Sequence, residues 1–260
     1  MGSATSQARA GIEGAVSAQP HAGIDDARDL FRASRAIERS PQVLSSLADP
    51  ASTPDARAAL AARVLGQLGA PAVAIVAHLA RQRWSAPADL LAGIDDAAIR
   101  IAVRSSQADV AGEIASFERT VASDAQLELA LGGLLGSADA KAALVERLLG
   151  GRASEAAASI LDHLVRAPRG RRIGQRLRST AKQVAEASGS SLATVTTARE
   201  IPAAQLDRLR VGLERQYGRA LQLQQIVDPA VLGGLRVAIG DDVIDGTVRS
   251  KFTDLRLKLG

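Results

Sequence analysis

The chain has 260 residues, 47% hydrophobic and 23% charged, a globular balance that excludes wholesale disorder; size alone favours two domains over one. Cysteine is absent, which removes disulfides, thiolate metal sites and cysteine nucleophiles. Aromatic residues make up only 2%, so the core is expected to be Ala, Leu, Val and Ile rather than rings around a ligand pocket, and a formal charge of +4 gives a mild bias toward acidic partners.

The chain opens MGSATSQARAGIEG, without the apolar segment of a secretory signal, and no run approaches the roughly 20 apolar residues of a membrane span. A soluble, unexported chain is the expectation. From there to residue 187 apolar residues recur at helical spacing, predicting helices near 24–40, 55–66, 71–82, 88–104, 107–123, 139–150, 154–166 and 170–187. Pro54 suits a first helical turn, and Gly66 and Gly150 stand where left-handed caps belong.

These helices repeat. DARAALAARVLG at 55–66 reappears as DAKAALVERLLG at 139–150, displaced by 84 positions, and the displacement holds upstream for Asp25 and Asp109, Arg35 and Arg119, and Leu47 and Leu131. Downstream it becomes 85, pairing His78 with His163 and Arg81 with Arg166. Two stacked copies, each covering apolar surface the other cannot bury alone, make a repeat-built all-α region. The equivalent histidines predict a shared structural role rather than ligation or catalysis, and Trp84 predicts an anchor where the copies join. RAPRGRRIGQRLR at 166–178 is the strongest basic cluster. Arg166, Arg169, Arg171 and Arg172 are candidates for a contact with phosphates or an acidic protein surface, the alternative being a solvated helix face.

After about residue 188 the pattern changes to a polar linker, a β-branched strand near 193–198, a helix from Pro202 to Gly218, and alternating stretches at 219–227, 235–239 and 243–248, the last two forming a hairpin. A closing helix is expected from Ser250. The glycines of VDPAVLGGLRVAIGDDVIDGTVRSKF do not have phosphate-loop spacing, because Gly233-Gly234 leads into a strand with no Lys-Ser or Lys-Thr. A calcium loop fails too, since Val243 occupies the middle ligand position between Asp241 and Asp245. The fold class is therefore mainly α with a small α+β C-terminal domain: a duplicated helical bundle, then a strand-helix-strand-hairpin-helix unit. The divisions fall at 1–87, 88–187 and 188–260, with no catalytic, cofactor or metal site expected.

This ordered stretch resembles the C-terminal signature of the δ subunit of bacterial ATP synthases, the family of the mitochondrial oligomycin-sensitivity-conferring protein. Asp228, Pro229, Gly233, Gly234, Gly240, Asp241, Asp245, Gly246, Val248 and Arg249 match that signature position by position. Residues 88–260 resemble a δ subunit of usual length, and 1–87 resemble the added helical repeat of long actinobacterial members. One departure is that DLLAGIDDAAIRIA stands where the family's first helix commonly opens Arg-Tyr-Ala, which leaves the helices that meet the α subunits unassigned. The resemblance implies a non-catalytic stator subunit without cofactors, at the cytoplasmic face of the cell membrane within the complex. Its implied partners are the N-terminal segments of the α subunits and the C-terminal end of b. The alternative on the residues alone is a basic helical nucleic-acid-associated protein using the arginines of 166–178.

Overall fold

The computed structural model describes residues 3–133, 136–170, 172–189, 191–217, 221–231, 233–239 and 242–247. Within them the first repeat contributes α1 (Ser3–Ser17), α2 (Ile24–Glu38), α3 (Pro41–Ala48), α4 (Pro54–Val64), α5 (Ala70–Arg81) and α6 (Pro87–Arg104). The second continues with α7 (Val110–Ala122), α8 (Ala125–Gly132), α9 (Ala138–Leu149), α10 (Glu155–Arg166) and α11 (Ile173–Ala187). The eight helices expected from spacing are present; α1, α3 and α8 are additional.

Caps fix the helix starts. Side chains of Thr53, Asp109, Asp124, Ser137 and Ser154 accept backbone N–H bonds at α4, α7, α8, α9 and α10. Pro54 occupies the first turn of α4, and Gly150 closes α9 in the left-handed conformation at φ 55°. Gly66 does not do the same: α4 stops at Val64 with Leu65 as its cap, and Gly66 lies outside the positive-φ glycines.

The duplication survives in the packing. Helix α2 lies on α6 as α7 lies on α11, and α4 pairs with α5 as α9 pairs with α10. Helix α6 also packs on α11 and α10 just as α1 packs on α6 and α5. It is therefore the last helix of the first unit and the first of the second. Its composition answers to both duties, because Leu90, Leu91, Ile94, Ala97, Ala98, Ile99, Ile101, Ala102 and Val103 are all buried, leaving no broad polar face. One continuous hydrophobic core consequently runs from Ala8 to Ala185, without a break between the repeats. Trp84 sits at the turn into α6 and lies over Gly93, where a Cβ would come 2.4 Å from its ring, while its Nε1 donates to Leu79 O at 2.9 Å. It anchors the junction of α5 with the shared helix.

The C-terminal unit comprises β1 (Ser191–Thr197), α12 (Ala203–Tyr217), β2 (Leu221–Val227), β3 (Leu235–Ile239) and β4 (Asp242–Asp245). Its sheet order is β2-β1-β3-β4, with β1 parallel to β2 and antiparallel to β3, and β3 and β4 forming the expected hairpin. A parallel pair needs a crossover, which α12 supplies. Ala193, Val195, Leu213, Leu221, Val237 and Ile239 form a second, smaller core. The expected closing helix from Ser250 and the signature positions Gly240, Asp241, Val248 and Arg249 lie outside the described residues.

Candidate functional site

Where the two repeats meet, polar groups from three segments, α2, α10 and the turn that follows α10, converge on Asp95 of α6. Its carboxylate accepts from Ser34 Oγ of α2 at 2.7 Å and from Arg169 Nη1 at 2.6 Å, and lies 3.1 Å from Nε2 of His163 on α10. Arg169 also approaches Glu38 at 3.3 Å. The His163 ring is buried, stacks on Phe31 with centroids 4.4 Å apart, and has Arg35 Nη1 3.2 Å from its Nδ1. Burial alone would raise the Asp95 pKa; the His163 ring, Arg169 and Ser34 outweigh it and hold the carboxylate at about 2. His163 Nε2 and Arg169 Nε are buried without a hydrogen bond and face the Asp95 and Glu38 carboxylates at 3.1 and 3.3 Å, while the other contacts to Asp95 are hydrogen bonds, an arrangement that suits locking two helical units together.

The histidines do not share one role. His78, the equivalent of His163, is half-buried and faces Gly11 where His163 faces Asp95; its Nε2 lies 3.4 Å from Gln82. A glycine in place of the aspartate removes the charge that draws the second histidine inward.

The arginine cluster is distributed rather than massed. Arg166 pairs with Asp139 at 2.5 Å and Asp162 at 2.7 Å, reproducing the Arg81–Asp55 pair of the first repeat at 3.2 Å. Arg169 is inside the seam, and Arg176 is buried, donating to Leu164 O and Ala167 O at the end of α10. Arg178 pairs with the buried Glu118 at 3.0 Å, and Glu118 also lies 3.5 Å from Gln224 of β2, joining the helical region to the sheet. Arg172 is exposed at the start of α11, and Arg171 lies outside the described residues. With Arg166, Arg169 and Arg178 paired to acids and Arg176 capping a helix, little free positive charge remains for a nucleic-acid phosphate ladder.

Sequence reasoning missed Arg57, which is buried and serves five carbonyls: Asp49, Ser52, Ala80, Arg81 and Gln82. It satisfies the orphan C-terminal carbonyls of α5, the task Arg176 performs for α10. The equivalent of Arg57 in the second repeat is Lys141, which donates to Gly133 O. That substitution across the repeat was the available signal.

A groove of about 680 Å³ runs between α2 on one side and α9 and α10 on the other, with Phe31, Val145 and Leu149 among its apolar lining. Arg28, Arg32 and Arg35 stand along the α2 wall, and Asp139 and Glu146 on α9. Such a mixed, elongated trough suits a helix or peptide more than a compact metabolite. No cluster of His, Cys, Asp and Glu able to hold a metal occurs among the described residues, and none of their helices is long and apolar enough to cross a membrane.

The signature positions in the C-terminal unit serve the backbone. Asp228 N–H donates to Thr197 O at 2.8 Å and its carboxylate accepts from Ala230 N–H at 2.9 Å. Gly233 and Gly234 adopt φ 93° and 81°, and a Cβ on Gly234 would meet Gly246 O at 2.4 Å, so both conformation and proximity require glycine. Asp245 accepts from the N–H and hydroxyl of Thr247 at 3.0 and 2.7 Å, which hold its pKa below the usual range.

The family described as ATP synthase delta (OSCP) subunit matches residues 96–259, from the middle of the shared helix onward. An ATP synthase subunit delta of Leifsonia xyli subsp. xyli is 45% identical, covering 100% of this chain and 99% of its own. Those of Streptomyces griseus and Streptomyces avermitilis are each 36% identical, covering 88% and 90% of this chain and 86% and 88% of theirs. Full-length identity at this level includes the first repeat as well as the signature, and the chain belongs to the ATP synthase delta (OSCP) subunit family.

Proposed function

We propose that this chain is a non-catalytic stator subunit of a rotary ATP synthase, holding the catalytic head to the peripheral stalk so that rotation is coupled to ATP synthesis. The observation that carries the reading is the family match, joined to an architecture of two separate cores and a buried polar seam that ties the helical units together. The division of labour follows the three segments: 1–87 and 88–187 form the helical arm, and 188–260 form the stalk-facing unit. The helical arm grips N-terminal segments of the α subunits, and the C-terminal unit holds the end of b, at the cytoplasmic face of the cell membrane. Resisting torque calls for stiff packing and long-lived contacts; a nanomolar attachment corresponds to about 12 kcal/mol. Amphipathic partner helices lying in grooves supply contacts of that kind. Arg172, exposed at the head of α11, remains a candidate for such a contact.

Calorimetric titration of the purified chain with two peptides, the N-terminal segment of the cognate α and the C-terminal segment of b, tests the reading. One-to-one binding of both at separate sites is expected. If neither binds to the folded chain, the stator assignment fails.

A further inference from the structure

The helical region and the sheet unit keep separate cores, so no common apolar interior fixes one against the other. The covalent link between them is short: α11 ends at Ala187 and β1 begins at Ser191, with Gly189 between them at φ 72°. A Cβ on Gly189 would have no atom within 4 Å, so the left-handed backbone, not crowding, asks for glycine there. Beyond the link, β1 touches α11 and β2 touches α7. Helix α12 is set back, with a crevice of about 450 Å³ between its Leu206 and Arg210 and the Ala111 and Ala115 side of α7.

At the contact of β2 with α7 an acid is buried. Glu118 of α7 is 5% exposed, accepts from Arg178 Nη1 of α11 at 3.0 Å, and has Nε2 of Gln224, itself buried in β2, 3.5 Å from its other oxygen. The duplication gives this position a precedent, because Glu118 is the counterpart of Ser34, 84 positions earlier. Ser34 is buried on α2, where its hydroxyl donates to Asp95 of the shared helix and accepts from Arg169 of the second unit at 2.8 Å. At each joint the same position of the repeat reaches into the unit that follows. The residue types differ in what they tolerate. A serine hydroxyl rotates to suit whichever partner is near, as donor or acceptor. A buried carboxylate paired with a guanidinium adds little net stability, yet any arrangement that strips it of partners is strongly disfavoured, so it selects one geometry.

We infer that Glu118 is a positioning residue that sets the angle at which the sheet unit stands on the helical arm. Arg178 holds its carboxylate from α11, and Gln224 docks against it from the sheet. Tilting the sheet about the link at 188–190 withdraws Gln224 and leaves a buried carboxylate with Arg178 alone, so the joint has one preferred setting in place of a range. Partners held by the two units would then face each other at a fixed angle. Only that last consequence rests on the stator reading; the setting of the joint is a property of the chain by itself.

The test is a distance measurement on the free full-length chain. The sequence has no cysteine, so spin labels sit only where they are introduced, at Arg147→Cys on α9 and Arg208→Cys on α12, both exposed. Pulsed electron resonance is expected to give one narrow distance distribution. Glu118→Gln is expected to broaden it about twofold or more, and adding Gln224→Glu, which exchanges amide and carboxylate across the joint, to restore the narrow one. A loss of packing alone would not be repaired by that exchange. A distribution already broad without Glu118→Gln, one that Glu118→Gln leaves unchanged, or one that stays broad after the exchange overturns the inference. Where Glu118→Gln loses its helical circular dichroism, Gln224→Ala, which leaves the Glu118–Arg178 pair in place, decides: broadening supports the inference and an unchanged width overturns it. No partner takes part in the measurement, so each of these failures leaves the stator reading standing, and that reading fails separately in the peptide titration.

Discussion

Asp95→Asn removes one charge from the seam while keeping the side chain's size, and the structure sets the expected cost. The carboxylate is held at about 2, against an ordinary 3.8. A group whose folded pKa lies below its unfolded one stabilises the fold above the unfolded value, and that contribution is lost as pH falls through the folded one. For Asp95 the difference corresponds to a contribution on the order of 2 kcal/mol at neutral pH. Asparagine also leaves Arg169 with only Glu38 as an acidic partner, so a total near 2–4 kcal/mol is expected. In a chain of this size that is a fall of about 4–8 °C in Tm. Urea denaturation of the two proteins across pH measures it, and the gap between them is expected to close as pH falls from about 4 toward 2. A gap below about 1 kcal/mol at neutral pH, or one that stays constant down to pH 2.5, would refute the claim that the ionised carboxylate holds the repeats together.

Three further substitutions probe other joints. Arg57→Lys mimics the second repeat at Lys141, but one ammonium cannot span both the Asp49–Ser52 loop and the end of α5; a loss of about 2–4 kcal/mol is expected in urea unfolding, and a neutral result would show the five carbonyls to be satisfied otherwise. Gly93→Ala drives a methyl into the Trp84 ring, so about 1–3 kcal/mol of destabilisation should come with a changed fluorescence maximum, readable because Trp84 is the single tryptophan. Unaltered emission would place the ring elsewhere in solution. Gly234→Ala forces a left-handed alanine against the Gly246 carbonyl, and hydrogen exchange should report loosening by at least about 1–2 kcal/mol in β3 and β4 while α2 and α6 keep their protection. Equal loosening of both cores would mean that they do not respond separately.

Periodicity reveals what a helix buries and is silent about what it meets. The amphipathic stripes of α2, α10 and α11 were therefore legible, whereas α3 and α8, eight residues each, are too short to display a period. Helix α1 was missed because its inward face is largely alanine, with Ile12 and Val16 the only larger buried residues identified there. The seam was hidden for a different reason: Ser34, Asp95, His163 and Arg169 come from distant parts of the chain, and Asp95 reads as one more acid in an acidic pair. The buried ends of Arg169 and Arg176 were equally invisible, since a run of arginines in sequence scatters around a turn and a helix in space. The signature glycines were legible because left-handed backbone and close approach admit so few residue types.

The shared helix has a mechanical consequence. Two bundles joined end to end by a linker meet in a butt joint, which bends at the linker. Here the joint is a lap, in which one member of about 27 Å, from its 18 residues, is clamped by both units along its length. Bending the arm at this point would require α6 itself to break or the Asp95 seam to slide. An additional unit built on the same plan would need only five new helices, since its last would overlap α1, and lengthening would introduce no hinge.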